Sequence, residues 1–154
     1  MSLAQETEMA EEETDDFLGQ HETGVLSLAQ ADEPYAIPIS YGYNTTERVF
    51  YMRLVSTPES EKRQFLASSP RARLVIYDEV KSRTVYRSVV AVGTLEELPP
   101  EELTVEHIEQ YGAAKRPLFE IWGKAKQDLD IKLYRFEPAE LSGRRTEIDR
   151  GEKE

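Results

Sequence analysis

The chain has no cysteine, which removes disulfides, thiolate nucleophiles, zinc–thiolate sites and iron–sulfur clusters together. A reducing compartment is permitted by that absence and not demonstrated by it. No apolar run approaches the ~18 residues of a membrane span, and residues 1–16 are acidic where a secretory leader would be basic and then apolar. These two shortages lead to the expectation of a soluble, cytoplasmic protein. Positive charge is also scarce: 19 Lys and Arg stand against 30 Asp and Glu, a formal charge of −11. Phosphate backbones and anionic lipids are bound through clustered cations, so neither nucleic acid nor a membrane surface is expected as a partner. The acid excess fits a high-salt, haloarchaeal type of cytoplasm as well as an ordinary acidic protein. Walker loops, Gly-x-Gly-x-x-Gly fingerprints and Gly-x-Ser-x-Gly elbows are all missing. No metal site is expected.

What is present suffices for one domain. Hydrophobic residues make up 39% of 154, enough for a core, and charged residues 32%, enough to solvate its surface. Residues 1–16 read as a mobile acidic tail running into a short helix that Gly19 stops, 17–145 as the domain, and 146–154 as a polar tail. Six β-runs follow one another within the domain. They are Val25–Ala29, Tyr35–Tyr43, Arg48–Leu54, Arg73–Tyr77, Thr84–Leu98 with a bend at Gly93, and Ile131–Phe136. Asp78–Arg83 reads as a polar loop. A short helix is predicted over Glu59–Ala67, and one or two more over residues 101–127. Short spacing between the early runs predicts hairpins. The fold class is mainly β (α+β): a small six-stranded antiparallel barrel with flanking helices. Pro38 cannot donate to a ladder and so belongs at an edge, a bulge or a place where a ligand approaches the backbone.

Most carboxylates read as a solvated face. His107 reads as a surface residue, His21 as structural, and Trp122 as a helix anchor. Against the acidic background, Arg53, Lys62, Arg63, Arg87 and Ser88 fall at strand ends or the first turn of a helix. An anion meets cations and free N–H groups at such places, although pairing of the same cations with the abundant Glu is the simpler reading. Tyr35, Tyr41, Tyr43, Tyr51, Tyr77 and Tyr86 share these strands and could flank a planar ligand.

The stretches Pro38-Ile39-Ser40-Tyr41, Val49-Phe50-Tyr51-Met52-Arg53, Glu61-Lys62, Ser69–Leu74 and Arg87-Ser88-Val89-Val90-Ala91-Val92-Gly93 resemble the pyridoxamine 5′-phosphate oxidase-like split-barrel family. The branch that includes nitroimidazole-reductase-type proteins is the most similar. The resemblance implies a split β-barrel homodimer with FMN at its interface. Pro38, Ile39, Ser40 and Tyr41 would border the isoalloxazine. Arg53 and Lys62, helped by Arg63, would take the phosphate side, and Arg87 and Ser88 would reach the flavin or its ribityl phosphate. Arg53 stands where nitroimidazole-reducing relatives commonly carry His, and Arg144-Arg145 lacks the surroundings of the vitamin B6 oxidases. The implied activity is electron transfer from NAD(P)H through FMN to a small oxidised acceptor. The alternatives are a non-catalytic flavin- or haem-binding redox module and a deazaflavin-dependent reductase.

Overall fold

The structure, a computed structural model, describes residues 4–56, 64–66, 71–80, 84–98 and 130–148. Among the described residues, besides a helical turn at 64–66, the regular structure is eight antiparallel strands and one helix: β1 (Ala4–Glu8), α1 (Glu11–Gln20), β2 (Thr23–Gln30), β3 (Glu33–Ser40), β4 (Gly42–Asn44), β5 (Val49–Ser56), β6 (Arg71–Val80), β7 (Val85–Glu97) and β8 (Asp130–Ile148). The sheet order is β3-β2-β6-β7-β8-β5-β4, with β1 added to β8.

Hydrophobic alternation decides which face is inside. Leu26 and Leu28, Ile39, Phe50, Met52 and Leu54, Leu74 and Ile76, Val89 and Ala91, and Tyr134 and Phe136 occupy one face of their strands and form a single buried cluster. Burial of that many apolar side chains requires the sheet to curl around them. The curl brings β3, one end of the sheet, alongside β5 without pairing to it. Chain continuity makes this seam, since β3 bends at Tyr41 into β4, which pairs with β5. Ala31 and Asp32 close the β2–β3 hairpin with φ of 49° and 70°, the two-residue turn whose twist matches that of its strands.

The six long strands are those read from the sequence; the run read as Tyr35–Tyr43 divides into β3 and β4, and β1 is additional. Residues 1–16, read as a loose tail, contribute β1 and most of α1. The reason is the free edge of β8: β5 covers only residues 130–136, leaving the stretch from Arg144 to Ile148 to pair with β1. The strand read as Ile131–Phe136 therefore runs on to Ile148, through much of the segment read as a C-terminal tail. Gly19 does not stop α1, which continues to Gln20 and ends at His21. Asp78, read as loop, lies inside β6.

Of the short helix over Glu59–Ala67, residues 64–66 are described and are helical. Its other residues, the helices read over 101–127, His107 and Trp122 lie outside the described residues. Gly93 does mark a bend, for the β7–β8 register shifts between Val92 and Gly93. Pro38 lies in the edge strand β3, exposed, on the face away from the core.

Candidate functional site

Side chains of directly paired residues share a face of the sheet, and neighbours in sequence alternate between faces. The residues singled out from the sequence therefore sort into two sets. Ile39 and Tyr41 point into the barrel, 3% and 1% exposed. The Tyr41 hydroxyl donates to the Leu18 carbonyl at 2.9 Å, and burial, followed by the nearby Tyr43 and Glu22, pushes its pKa up. Arg87 follows the parity of Val85, Val89 and Ala91 and also faces inward. Pro38, Ser40, Arg53 and Ser88 have the opposite parity and lie on the outer face.

Register places this outer set. Pro38 pairs with Val25, Val25 with Val75, Val75 with Val90, and Val90 with Ser142. The result is a cross-strand row of half-buried Val25, Val75 and Val90 between the exposed Pro38 and the exposed Ser142. In the next row Ser40 pairs with Thr23, and Tyr77 with Ser88. Continuing the β2–β6 register joins these two pairs, so Ser40 and Ser88 are about three strand spacings apart, ~14 Å. Tyr77 between them is 71% exposed. Across the seam, Gly42 pairs with Tyr51. That register continued back across Tyr41 sets Ser40 beside Arg53. Lys62 and Arg63 lie outside the described residues.

Arg87 has a different occupation. Its Nη2 and Nε donate to the two oxygens of Asp78 at 2.7 and 3.3 Å, and its guanidinium carbon sits 4.9 Å from the Phe17 ring centroid. His21 completes the cluster, with Nδ1 2.8 Å from the Phe17 carbonyl and Nε2 3.1 Å from Asp78. Both partners are acceptors, so only the doubly protonated ring donates to both at once. Arg87, read from the sequence as a ligand-facing cation, here fastens the C-terminal end of α1 to β6 and β7. The other end of α1 is held in the same manner. Arg48 bonds Glu11 and Asp15 at 2.7 and 3.1 Å, and Arg145 bonds Glu13 at 3.0 Å. The Tyr43 hydroxyl donates to Asp15 at 2.7 Å. Burial and the Asp15 bond push the Tyr43 pKa up.

Sequence reasoning missed this clamp. Its visible signal was Glu11 and Asp15, one helical turn apart on a single face. Among the described residues no cluster of three or more His, Asp or Glu is arranged for a metal, and no helix is long and apolar enough to cross a membrane.

The barrel interior is filled by Tyr41, Phe50, Phe136, Met52 and their neighbours, so a flat ligand must lie outside it. On the outer face Pro38 and Tyr77 are exposed, Arg53 and Ser88 are half-buried, and Ser40 is only 1% exposed. An antiparallel split barrel with this seam defines the class. Residues 10–145 match the family described as Pyridoxamine 5′-phosphate oxidase, and the chain belongs to that family.

Similar solved structures share the fold. One is an FAD-binding protein from Mesorhizobium loti, 18% identical, TM-score 0.66, covering 95% of this chain and 98% of that one. Another is a candidate 5-nitroimidazole antibiotic resistance protein from Bacteroides thetaiotaomicron, 13% identical, TM-score 0.69, covering 95% and 90%. A third is a heme-binding protein from Mycobacterium smegmatis, 14% identical, TM-score 0.59, covering 88% of this chain and 54% of that one. No protein of curated function matches the sequence.

Proposed function

We propose that the protein is a homodimeric flavoprotein that holds FMN at the subunit interface and passes electrons from NAD(P)H to a small oxidised acceptor. The observation that carries this reading is the pairing of a filled barrel with a half-exposed apolar strip outside it, from Pro38 through Val25 and Val75 to Val90. A strip of this kind suits a planar ring on one side and a second subunit on the other. Pro38 would border the ring with its side chain, and the buried Ile39, Ser40 and Tyr41 would contribute backbone. Arg53, with Lys62 and Arg63, would hold the phosphate through charge-assisted bonds, and Ser88 would supply a hydroxyl. FMN supplies the hydride and electron chemistry when bound. The protein orients it and excludes water. Family membership and the Mesorhizobium relative, named as FAD-binding, support a flavin cofactor, and FMN is our choice among flavins.

A second reading, a non-catalytic haem-binding module, draws on the heme-binding relative. It gains nothing from His21, whose ring nitrogens both face acceptors already. An absorbance spectrum of freshly purified protein, followed by denaturation and chromatography of what is released, separates the readings. Released FMN that NAD(P)H reduces in the intact protein supports the first. Released haem, or a flavin that NAD(P)H leaves oxidised, overturns it. Lys62→Glu should abolish FMN retention with the fold intact, and unchanged flavin content would remove Lys62 from the phosphate site. A light-scattering mass of one chain with FMN still bound would contradict the interface.

A further inference from the structure

Tyr77 is the one large hydrophobic side chain left exposed among the described residues. Every other described tyrosine and phenylalanine is buried or half-buried. Two residues back along β6, on the same face, lies Val75, the middle of the half-buried row Val25, Val75 and Val90. We propose that Tyr77 is the ring-stacking residue of the flavin site, its phenol lying against the isoalloxazine that rests on this valine row. The inference rests on the flavin reading above and adds which side chain touches the ring and what that contact does to the bound flavin.

Three observations carry it. The first is room. Ser88 pairs with Tyr77 on one side, and the β2–β6 register, continued by one pair, sets Thr23 on the other. Both are small and about 5 Å away, so no bulky side chain of its own row covers the phenol. An aromatic ring left uncovered beside a flat apolar row exposes area that a planar ligand would bury. The second is direction. Toward the valine row the next residue on this face is Val75, about 7 Å along the strand; away from it the next is Glu79, exposed and anionic. The apolar contact of the phenol therefore lies on the Val75 side.

The third is rigidity. Ile76, just before Tyr77, is 1% exposed in the core. Asp78, just after it, is held from the inner face by Arg87 at 2.7 and 3.3 Å and by His21 at 3.1 Å. The backbone that carries Tyr77 is fixed on both sides by contacts through the opposite face of the sheet, so the phenol is presented from a defined position. Such a contact has a chemical signature. A phenol against an isoalloxazine gives one electron to the photoexcited ring and takes it back, with no net oxidation, and the fluorescence of the ring is quenched. A phenylalanine stacks as well and is too hard to oxidise to quench.

The test is time-resolved flavin fluorescence of the full-length protein saturated with FMN, together with FMN titration and light scattering. The wild type should show a lifetime far shorter than that of free FMN. Tyr77→Phe should restore most of the free lifetime with little change in affinity, and Tyr77→Ala should restore it and weaken FMN binding about three- to ten-fold. Circular dichroism of both variants should match the wild type, since the side chain lies outside the core. The proposal is overturned if Tyr77→Phe leaves the lifetime short, if Tyr86→Phe and not Tyr77→Phe lengthens it, or if Tyr77→Ala binds FMN with unchanged affinity. It is also overturned if Tyr77→Ala turns a dimer into a monomer with quenching intact, which would make Tyr77 a subunit contact. A wild type that takes up neither FMN nor FAD overturns the flavin reading itself, whereas one that binds flavin with unquenched fluorescence overturns the role of Tyr77 alone.

Discussion

Gly93→Ala should be among the costliest single-methyl additions the fold can suffer. A Cβ built there would lie 2.1 Å from the Glu137 carbonyl oxygen, 2.7 Å from the Pro138 Cα and 2.8 Å from the Glu137 carbonyl carbon. All three are backbone atoms, so no rotamer change relieves the clash, and β7 or β8 must shift by about an ångström in a region that is close-packed. Overpacking of this kind costs about 1–3 kcal/mol. The upper end applies because the contact falls at the β7–β8 register shift, where β8 turns from β5 toward β1. For a domain of this size 1 kcal/mol moves Tm by about 2–4 °C, so a loss of about 6–12 °C is expected. Gly19→Ala is the control: nothing lies within 4 Å of its added Cβ, in an exposed helical position. Removing a helical glycine there should gain about 0.5–1 kcal/mol. Thermal and urea denaturation of both variants at one salt concentration decide the matter. Should Gly93→Ala melt within error of the wild type, the close approach of β7 to β8 at the register shift is wrong.

Tyr41→Phe leaves the buried Leu18 carbonyl without its hydroxyl donor and should cost about 1–3 kcal/mol in urea denaturation; a neutral result would mean that water replaces the bond. Asp78→Ala removes the shared acceptor of Arg87 and His21. Since these groups are about one-fifth exposed, water makes up part of the loss, and about 1–2 kcal/mol is expected, together with faster amide exchange at the end of α1. Unchanged exchange would separate the cluster from the docking of α1. Burial holds the Tyr41, Tyr43 and Tyr51 phenols neutral beyond their usual range. The unfolded chain releases those protons near pH ~10 while the folded chain keeps them, so stability is full below that pH and falls as pH rises above it. A phenolate absorbance titration should find fewer of the 8 tyrosines ionised in folded than in urea-unfolded protein, and identical curves would contradict the burial of all three.

The legible parts of the fold are those in which side-chain alternation decides the structure. Leu26 with Leu28, Phe50 with Met52 and Leu54, and Leu74 with Ile76 announce strands because each buries every second residue. β1 has no such pattern. Its residues through Glu8 gain backbone hydrogen bonds from an edge that exists only once β8 is in place, plus an ion pair from Glu6 to Arg144. The second half of β8 is hidden for the same reason, since Glu140 is a strand residue by virtue of its partner Val92, and Arg144 and Glu147 by virtue of neighbours on both sides. Gly19 illustrates a third limit. Its helix-stopping tendency, about 1 kcal/mol, is outweighed by Phe17 and Leu18, which are buried at 1% and 0% exposure, and by the ion pairs that pin α1.

The candidate site was legible as a set of positions and not as a set of directions. Ile39 and Ser40, or Arg87 and Ser88, are adjacent in sequence and therefore opposed in space. A contiguous strand motif can offer a ligand only every second side chain, with the backbone in between. That constraint alone assigns Pro38, Ser40 and Ser88 to one face and sends Arg87 to the other, where Asp78 waits directly across the β6–β7 hairpin. The pair could have been found from sequence: with Val80 opposite Val85, residues whose numbers sum to the same value face each other, and Asp78 with Arg87 satisfies that sum. Opposite charges so placed attract before any ligand is present. An arginine committed in this way is dear to recruit, because a ligand's anion must displace a carboxylate that is already bidentate and part-buried. Arg53 and Arg73, on the outer face, meet no directly paired carboxylate: their partners are Leu133, and Ser27 with Val92. Arg53 and Arg73 therefore differ from Arg87 in lying outside the barrel with no carboxylate directly across from them.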